Sequence, residues 1–273
     1  MTSTRRVLTA LTVAGVLGAA APVSASAATT ITMSGATASY PLVSLLAAKY
    51  VKTHKKLHIK FRIAQGGAQV GINDVSAGRV TIANVSRDPL PSDPSGLDFY
   101  PIAKYGICVV TNKANPLGNL SPSQLISIFT GKVRSWSQVP GASASGTIDI
   151  TSRTSVAGVL TSFQTLLLEG KKVSSVASEQ SSEGLLRQAV ESDPNAIGFL
   201  SNYQSDKGGL HVVSVAGVTC NRSTVISGQY PGIARFYEVT KGRAKGAASA
   251  FIAWITKAAA AKKIVNTQWV TIA

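Results

Sequence analysis

Along the chain, short runs of extended character alternate with stretches whose apolar residues recur three or four apart, the signature of strands and helices in alternation. Thr30–Met33 is the first extended run. Ser34–Ser39 is a turn of small residues, and Leu42, Leu45, Leu46 and Tyr50 follow at helical spacing behind Pro41. Proline has a fixed φ and no N–H to leave unpaired, so Pro41 marks the first helical residue with Ser39 or Tyr40 as its N-cap. Residues 58–67 alternate like a half-buried strand, and residues 68–90 read as a short helix stopped near Gly78, a strand and a loop.

The middle of the chain repeats this grammar. Tyr100–Asn112 is another strand. Ser121, Pro122 and Gln124 spell a capping box with proline at the first helical position, and Gly131 stops that helix. Val156, Val159, Leu160, Phe163 and Leu167 then share one helical face behind a Ser/Thr-rich entry. A further helix, a turn at Asp193-Pro194-Asn195 and a strand come next. His211 lies in a strand-like run, where a structural role is expected. The chain closes with an Ala-rich helix and a final strand. Glycine and proline punctuation is even, with no long linker and no internal repeat, so an α/β architecture of two lobes joined by crossing strands is expected.

Residues 1–27 stand outside this pattern. Arg5 and Arg6 precede an apolar stretch from Val7 to Ala21, and Ala25-Ser26-Ala27 offers a small-x-small cleavage site. The stretch is shorter than the roughly 20 residues of a membrane span, so it reads as a secretory signal peptide. The arginine pair is compatible with twin-arginine export. No cysteine lies at the cleavage point itself, so an extracellular protein without a lipid anchor is expected. Both cysteines, Cys108 and Cys220, lie in the exported part. There an oxidising compartment favours a disulfide between them, the alternative being two buried thiols.

Composition narrows the chemistry. In 273 residues, 45% hydrophobic, there are 27 Lys+Arg but only 12 Asp+Glu, a formal charge of +15. Losing Arg5 and Arg6 with the leader lowers this by two to +13. Acid is too scarce for a carboxylate-rich active site, and the cysteines and scattered histidines cannot cluster as a structural zinc site. No His pairs visibly with a nucleophile and a carboxylate, so no catalytic residue is expected. The basic residues are dispersed and lack interleaved aromatics, which argues against nucleic acid. Two hydroxyl-rich helix entries, Ser34–Ser39 and Ser152–Ser155, and two arginines after strands, Arg87 and Arg153, fit oxyanion binding. The same residues are equally at home as helix caps and solvated surface groups.

Taken in order, the segments 35–50, 66–90, 120–139, 152–163, 195–200 and 228–239 resemble the PstS-type phosphate-binding proteins of ABC importers. The most specific matches are Leu125 to Trp136 with its "IFTGK" core, Asn195-Ala196-Ile197-Gly198-Phe199, and Tyr230-Pro231-Gly232-Ile233-Ala234-Arg235. The resemblance covers nearly the whole exported chain. It implies a type II periplasmic-binding-protein fold in which two α/β lobes, linked by crossover hinge strands, close on a ligand. Lobe one is expected at 28–104 plus 235–273 and lobe two at 105–234. No enzymatic activity or cofactor is implied.

Carried over residue by residue, the resemblance puts the Ser39 hydroxyl, the Tyr40 amide, the Arg153 guanidinium and the Gly158 amide on the anion, with Arg87 and Asp88 in the adjoining loop. Three positions depart from it. Ala68 stands where serine is usual, and Ala157 and Val159 replace a serine and a threonine. The expectation is a secreted, monomeric solute-binding protein that captures phosphate or a related oxyanion, with an ABC permease as partner. Its rival is the same fold without phosphate binding, serving another small molecule or an interaction with cell-wall polyanions.

Overall fold

A computed structural model of the protein describes residues 28–272 together with Thr2. Apart from Thr2, the leader expected at residues 1–27 lies outside the described residues. The first half of the structure opens with β1 (Thr30–Gly35), α1 (Tyr40–Thr53), β2 (Lys60–Gln65), α2 (Ala68–Ser76) and β3 (Ile82–Val85). β1 lies between β2 and β3, parallel to both, which the crossovers through α1 and α2 allow.

β4 (Leu97–Asn112) then runs for 16 residues and leads into β5 (Asn119–Leu120), α3 (Pro122–Phe129), β6 (Asp149–Arg153), α4 (Gly158–Leu167), β7 (Ser178–Gln180) and α5 (Glu183–Ser192). β8 (Ala196–Ser201), α6 (Asn202–Ser205), β9 (Leu210–Val215) and α7 (Arg222–Ile226) complete the second half. β10 (Ile233–Lys241), α8 (Gly246–Lys257) and α9 (Ala259–Gln268) return to the first.

The strand order is β2-β1-β3-β10-β4-β8-β6-β7, with β9 on β4 and β5 on β9. β4 ties the two halves together. It pairs antiparallel with β10 from Leu97 to Gly106, then with β8 and β9 from Ile107 to Asn112. The strand changes partners at a glycine because nothing larger fits. A Cβ on Gly106 would stand 2.8 Å from Cys220 Sγ and 2.9 Å from Val225 Cγ2.

Helices cover both faces of the first half. Leu42, Leu46, Phe251 and Ile255 pack one side, while Ile72 and Val75 of α2 meet Ala83, Val85 and Val239 on the other. In the second half, Phe129, Phe163 and Phe199 stack as the core between α3, α4 and β8. Cys108 and Cys220 are joined, and both are buried. In the chain-entropy model, closing a loop of 112 residues stabilises the fold by about 4 to 5 kcal/mol.

Local signals behave unevenly. α3 begins with the expected capping box, Ser121 Oγ accepting from the Gln124 amide and the Gln124 side chain accepting from the Ser121 amide. At α1, Ser39 occupies the N-cap position in helical conformation and caps nothing with its side chain; its Oγ donates to Ala36 O instead. The C-terminal end also differs from expectation. Ala258 is extended and breaks the Ala-rich stretch into α8 and α9, so that Phe251 and Ile255 of one helix and Ala261 and Val265 of the other all reach the core. Among the described residues beyond α9 there is no strand, only a two-way backbone pair between Lys104 and Val270. His211, on β9, meets Leu117 O through Nε2 at 2.9 Å, a structural contact.

Candidate functional site

Three helices begin at one place. β1 ends at Gly35, whose φ of +140° and Cβ position 2.1 Å from Asn84 O admit no side chain, so the chain turns tightly through Ala36–Ala38 into α1. α2 starts from Gly67, also at positive φ, where a Cβ would lie 2.7 Å from Val156 O. α4 starts at Gly158, where a Cβ would lie 2.7 Å from Ser86 Oγ and 2.8 Å from Ala68 Cβ. At Gly67 and Gly158, glycine is thus used where the two halves nearly touch. None of the three helices has a side-chain N-cap, so their first N–H groups are not taken up that way.

Between these helix starts is a narrow pocket lined by Thr37, Gly67, Ser86, Arg153, Gly158 and Val159, with Ala36, Ala38 and Ala157 completing it. No carboxylate lines it, and nowhere is it wide enough for a water molecule. The halves are in direct contact around it. The Gln69 amide donates to Val156 O at 3.0 Å, and Ser162 Oγ donates to Ser86 O at 3.2 Å. A tetrahedral oxyanion therefore enters only if the halves separate.

Arg153 is the one charged group in the lining and is 1% exposed. Its Nε donates to Gln180 O at 3.0 Å, and its Nη2 donates to Ser181 O at 2.9 Å and to Thr37 Oγ1 at 3.1 Å. Burial lowers its pKa from the ordinary arginine value, while the charge of Glu183 pulls it back up. Glu183, at the start of α5, is itself buried and accepts from the Ser201 amide and hydroxyl. Burial pushes its carboxyl up, and the Ser201 hydroxyl and the Arg153 charge hold that rise in check.

Of the residues expected at the anion, Arg153 and Gly158 line the pocket. Ser39 and Tyr40 stand at the start of α1 directly behind the lining residue Ala38, and the Ser39 hydroxyl is turned to Ala36 O. Arg87 is buried and its fork is taken up by Asp93, with Nη1 to Oδ2 at 2.8 Å and Nη2 to Oδ1 at 2.6 Å. Gln69 Oε1 and Asp88 O accept its remaining contacts. Asp88 receives the Tyr237 hydroxyl at 2.7 Å and has Arg235 within 3.5 Å. Sequence reasoning missed Thr37 and Ser86 as lining groups. Both lie in segments it had marked, one in the small-residue turn and one directly before Arg87.

A profile described as PBP superfamily domain matches residues 20–259. The chain belongs to the PBP superfamily. Its relatives are of PstS type. The phosphate-binding protein PstS of Bacillus subtilis is 28% identical over 244 residues, covering 87% of this chain and 79% of that protein. A substrate-binding protein assigned to phosphate ABC transport in Clostridium perfringens, solved with bound phosphate, superposes with a TM-score of 0.82 at 25% identity. That match covers 89% of this chain and 100% of the other. An ABC-type phosphate transport receptor from Vibrio cholerae follows at TM-score 0.72 and 25% identity, with the same coverage. This chain thus has the mixed α/β fold of PstS-type periplasmic binding proteins. Among the described residues, no helix is long and apolar enough to cross a membrane.

Proposed function

We propose that this PstS-type chain is an extracellular solute-binding protein whose halves, residues 28–104 with 235–273 and residues 105–234, hinge on β4 and β10 and close on phosphate or a related oxyanion. It then hands the ion to an ABC permease. One observation carries the reading: the N-termini of α1, α2 and α4 and the Arg153 guanidinium converge on one pocket that has no carboxylate. Helix dipoles, amide N–H groups and a guanidinium fork all favour a small anion there.

Affinity is expected to be modest. Ala68, Ala157 and Val159 supply no hydroxyl, and three missing donors at about 1 kcal/mol each weaken binding by over about a hundredfold. That observation also favours a second reading, in which the clamp has given up phosphate and the cationic surface engages cell-wall polyanions. A thermal-shift titration of the oxidised protein with phosphate, against sulfate and chloride at matched ionic strength, separates the two. A saturable phosphate response, about 2.7 kcal/mol at a hundredfold excess over Kd, supports the first reading. No response up to millimolar phosphate, with polyanion binding that falls steeply with salt, supports the second.

A further inference from the structure

We infer that the first half carries a second ligand site, remote from the cleft, for a single-chain amphiphile with an anionic head. α8 and α9 diverge at the extended Ala258, and the backbone pair between Val270 and Lys104 ties the following tail to the middle of β4. The wedge left between them is a cavity of about 480 Å³, within the roughly 300–1,000 Å³ range of small-molecule sites. It shares no lining residue with the cleft pocket.

Its chemistry is two-sided. Ile102, Ile252 and Ile255 give it an apolar floor, and small residues of α8, Ser249 and Ala253, leave that floor open. Three cations from three segments, Arg243, Lys257 and Lys262, also line it, and no Asp or Glu does. Among the described residues none of the three has an ion-pair partner. Lys257, in the last turn of α8, is placed as the helix dipole prefers. Lys262 is not, because it stands near the N-terminal, positive end of α9. An anionic head among these cations relieves their mutual repulsion, and an acyl chain covers the isoleucines. The complementarity selects an anion with an apolar tail over a bare anion or a neutral lipid.

The test is isothermal titration of the full chain with dodecanoate below its micellar concentration, with dodecanol as the headless comparison. Saturable one-site binding is expected, weakened by at least about tenfold in Ala253→Trp, which fills the wedge, and in Lys257→Glu/Lys262→Glu. Dodecanol should bind at least about tenfold more weakly than dodecanoate. The two lysines are exposed, so the charge-reversed variant keeps the test decisive even if Ala253→Trp fails to fold. Absence of saturable binding, equal affinity for dodecanol, or full affinity in the charge-reversed variant overturns the inference.

Discussion

Arg153 Nη2 donates to the Thr37 hydroxyl at 3.1 Å, so a side chain from the end of β6 bonds directly to the turn that opens α1 in the other half. The same Nη2 also holds Ser181 O. The guanidinium is therefore fixed on its own side and reaches across the cleft from a rigid base. An anion that displaced Thr37 would take over a donor already aimed into the pocket.

Arg153→Ala should abolish any phosphate-dependent thermal shift. It should also destabilise the ligand-free protein modestly: the Ser181 carbonyl loses its donor while the Gln180 carbonyl keeps the Thr154 amide, and a lost hydrogen bond of this kind costs about 0.5–1.5 kcal/mol. Arg153→Lys keeps the charge without the fork, so it should recover part of the stability and little of the phosphate response. Urea unfolding with and without phosphate measures both effects. A full phosphate response in Arg153→Ala would remove this residue from the site.

Arg87 and Asp93 form a buried pair, their side chains 3% and 6% exposed, bonded through both oxygens. Burial alone would raise the Asp93 pKa, but the hydrogen bonds from Arg87 and the Leu90 amide and the Arg87 charge outweigh it, so the net shift is downward. Stability from a depressed carboxylate is present above its unfolded pKa of about 3.9 and is lost as pH falls through the folded value. Asp93→Ala strands the guanidinium and should cost about 3–5 kcal/mol at neutral pH, with a gap that narrows on acidification. Chemical unfolding at pH 7 and in the acid range reads this directly.

Gly106 marks the point where β4 changes partners, with its amide donating to Asn202 Oδ1 at 3.0 Å. A methyl group there meets the disulfide sulfur and Val225 at under 3 Å. Overpacking of this kind costs about 1–3 kcal/mol. Gly106→Ala should lower the midpoint of thermal unfolding accordingly. After reduction of the Cys108–Cys220 bridge the penalty should shrink, since Cys220 is then free to shift; an unchanged penalty would place the strain elsewhere.

Strong local signals were legible from residue types alone. Pro122 and Gln124 behind Ser121 specify the start of α3 without tertiary help, and the even spacing of glycines and prolines outlines the alternation of elements. Arg153 was legible because it ends a strand ahead of a helical repeat. Thr37 and Ser86 were not, because a small hydroxyl residue in a turn looks the same whether it faces a cleft or caps a helix. The break at Ala258 is invisible for a different reason. No glycine or proline marks it, and only the need of two helices to reach one core bends the chain there. Arg87 shows a different limit: its sequence neighbourhood suggests a ligand group, and only the fold reveals that Asp93, six residues on, takes up its fork.

Glu238 sits opposite Asn84 of β3 and Tyr100 of β4 in the centre of the first half, completely buried. Among the described residues, neither of its carboxyl oxygens nor Asn84 Oδ1 finds a hydrogen-bond partner. Burial with nothing to offset it pushes the carboxyl well above the ordinary glutamate range, so the folded protein keeps it protonated where the unfolded chain would ionise. A raised carboxyl contributes stability that is fully present below the unfolded pKa of about 4.3 and is lost as pH rises towards the folded value. Across that window the loss is about 1.4 kcal/mol per pH unit from this group alone. Glu238→Gln has nearly the same shape, cannot ionise, and brings an amide that can donate to Asn84 Oδ1. It should therefore match the wild type near pH 4 and exceed it progressively as pH rises above the unfolded value, as measured by urea unfolding at several pH values. A difference independent of pH would mean that the folded carboxyl titrates normally and that its burial is relieved in solution.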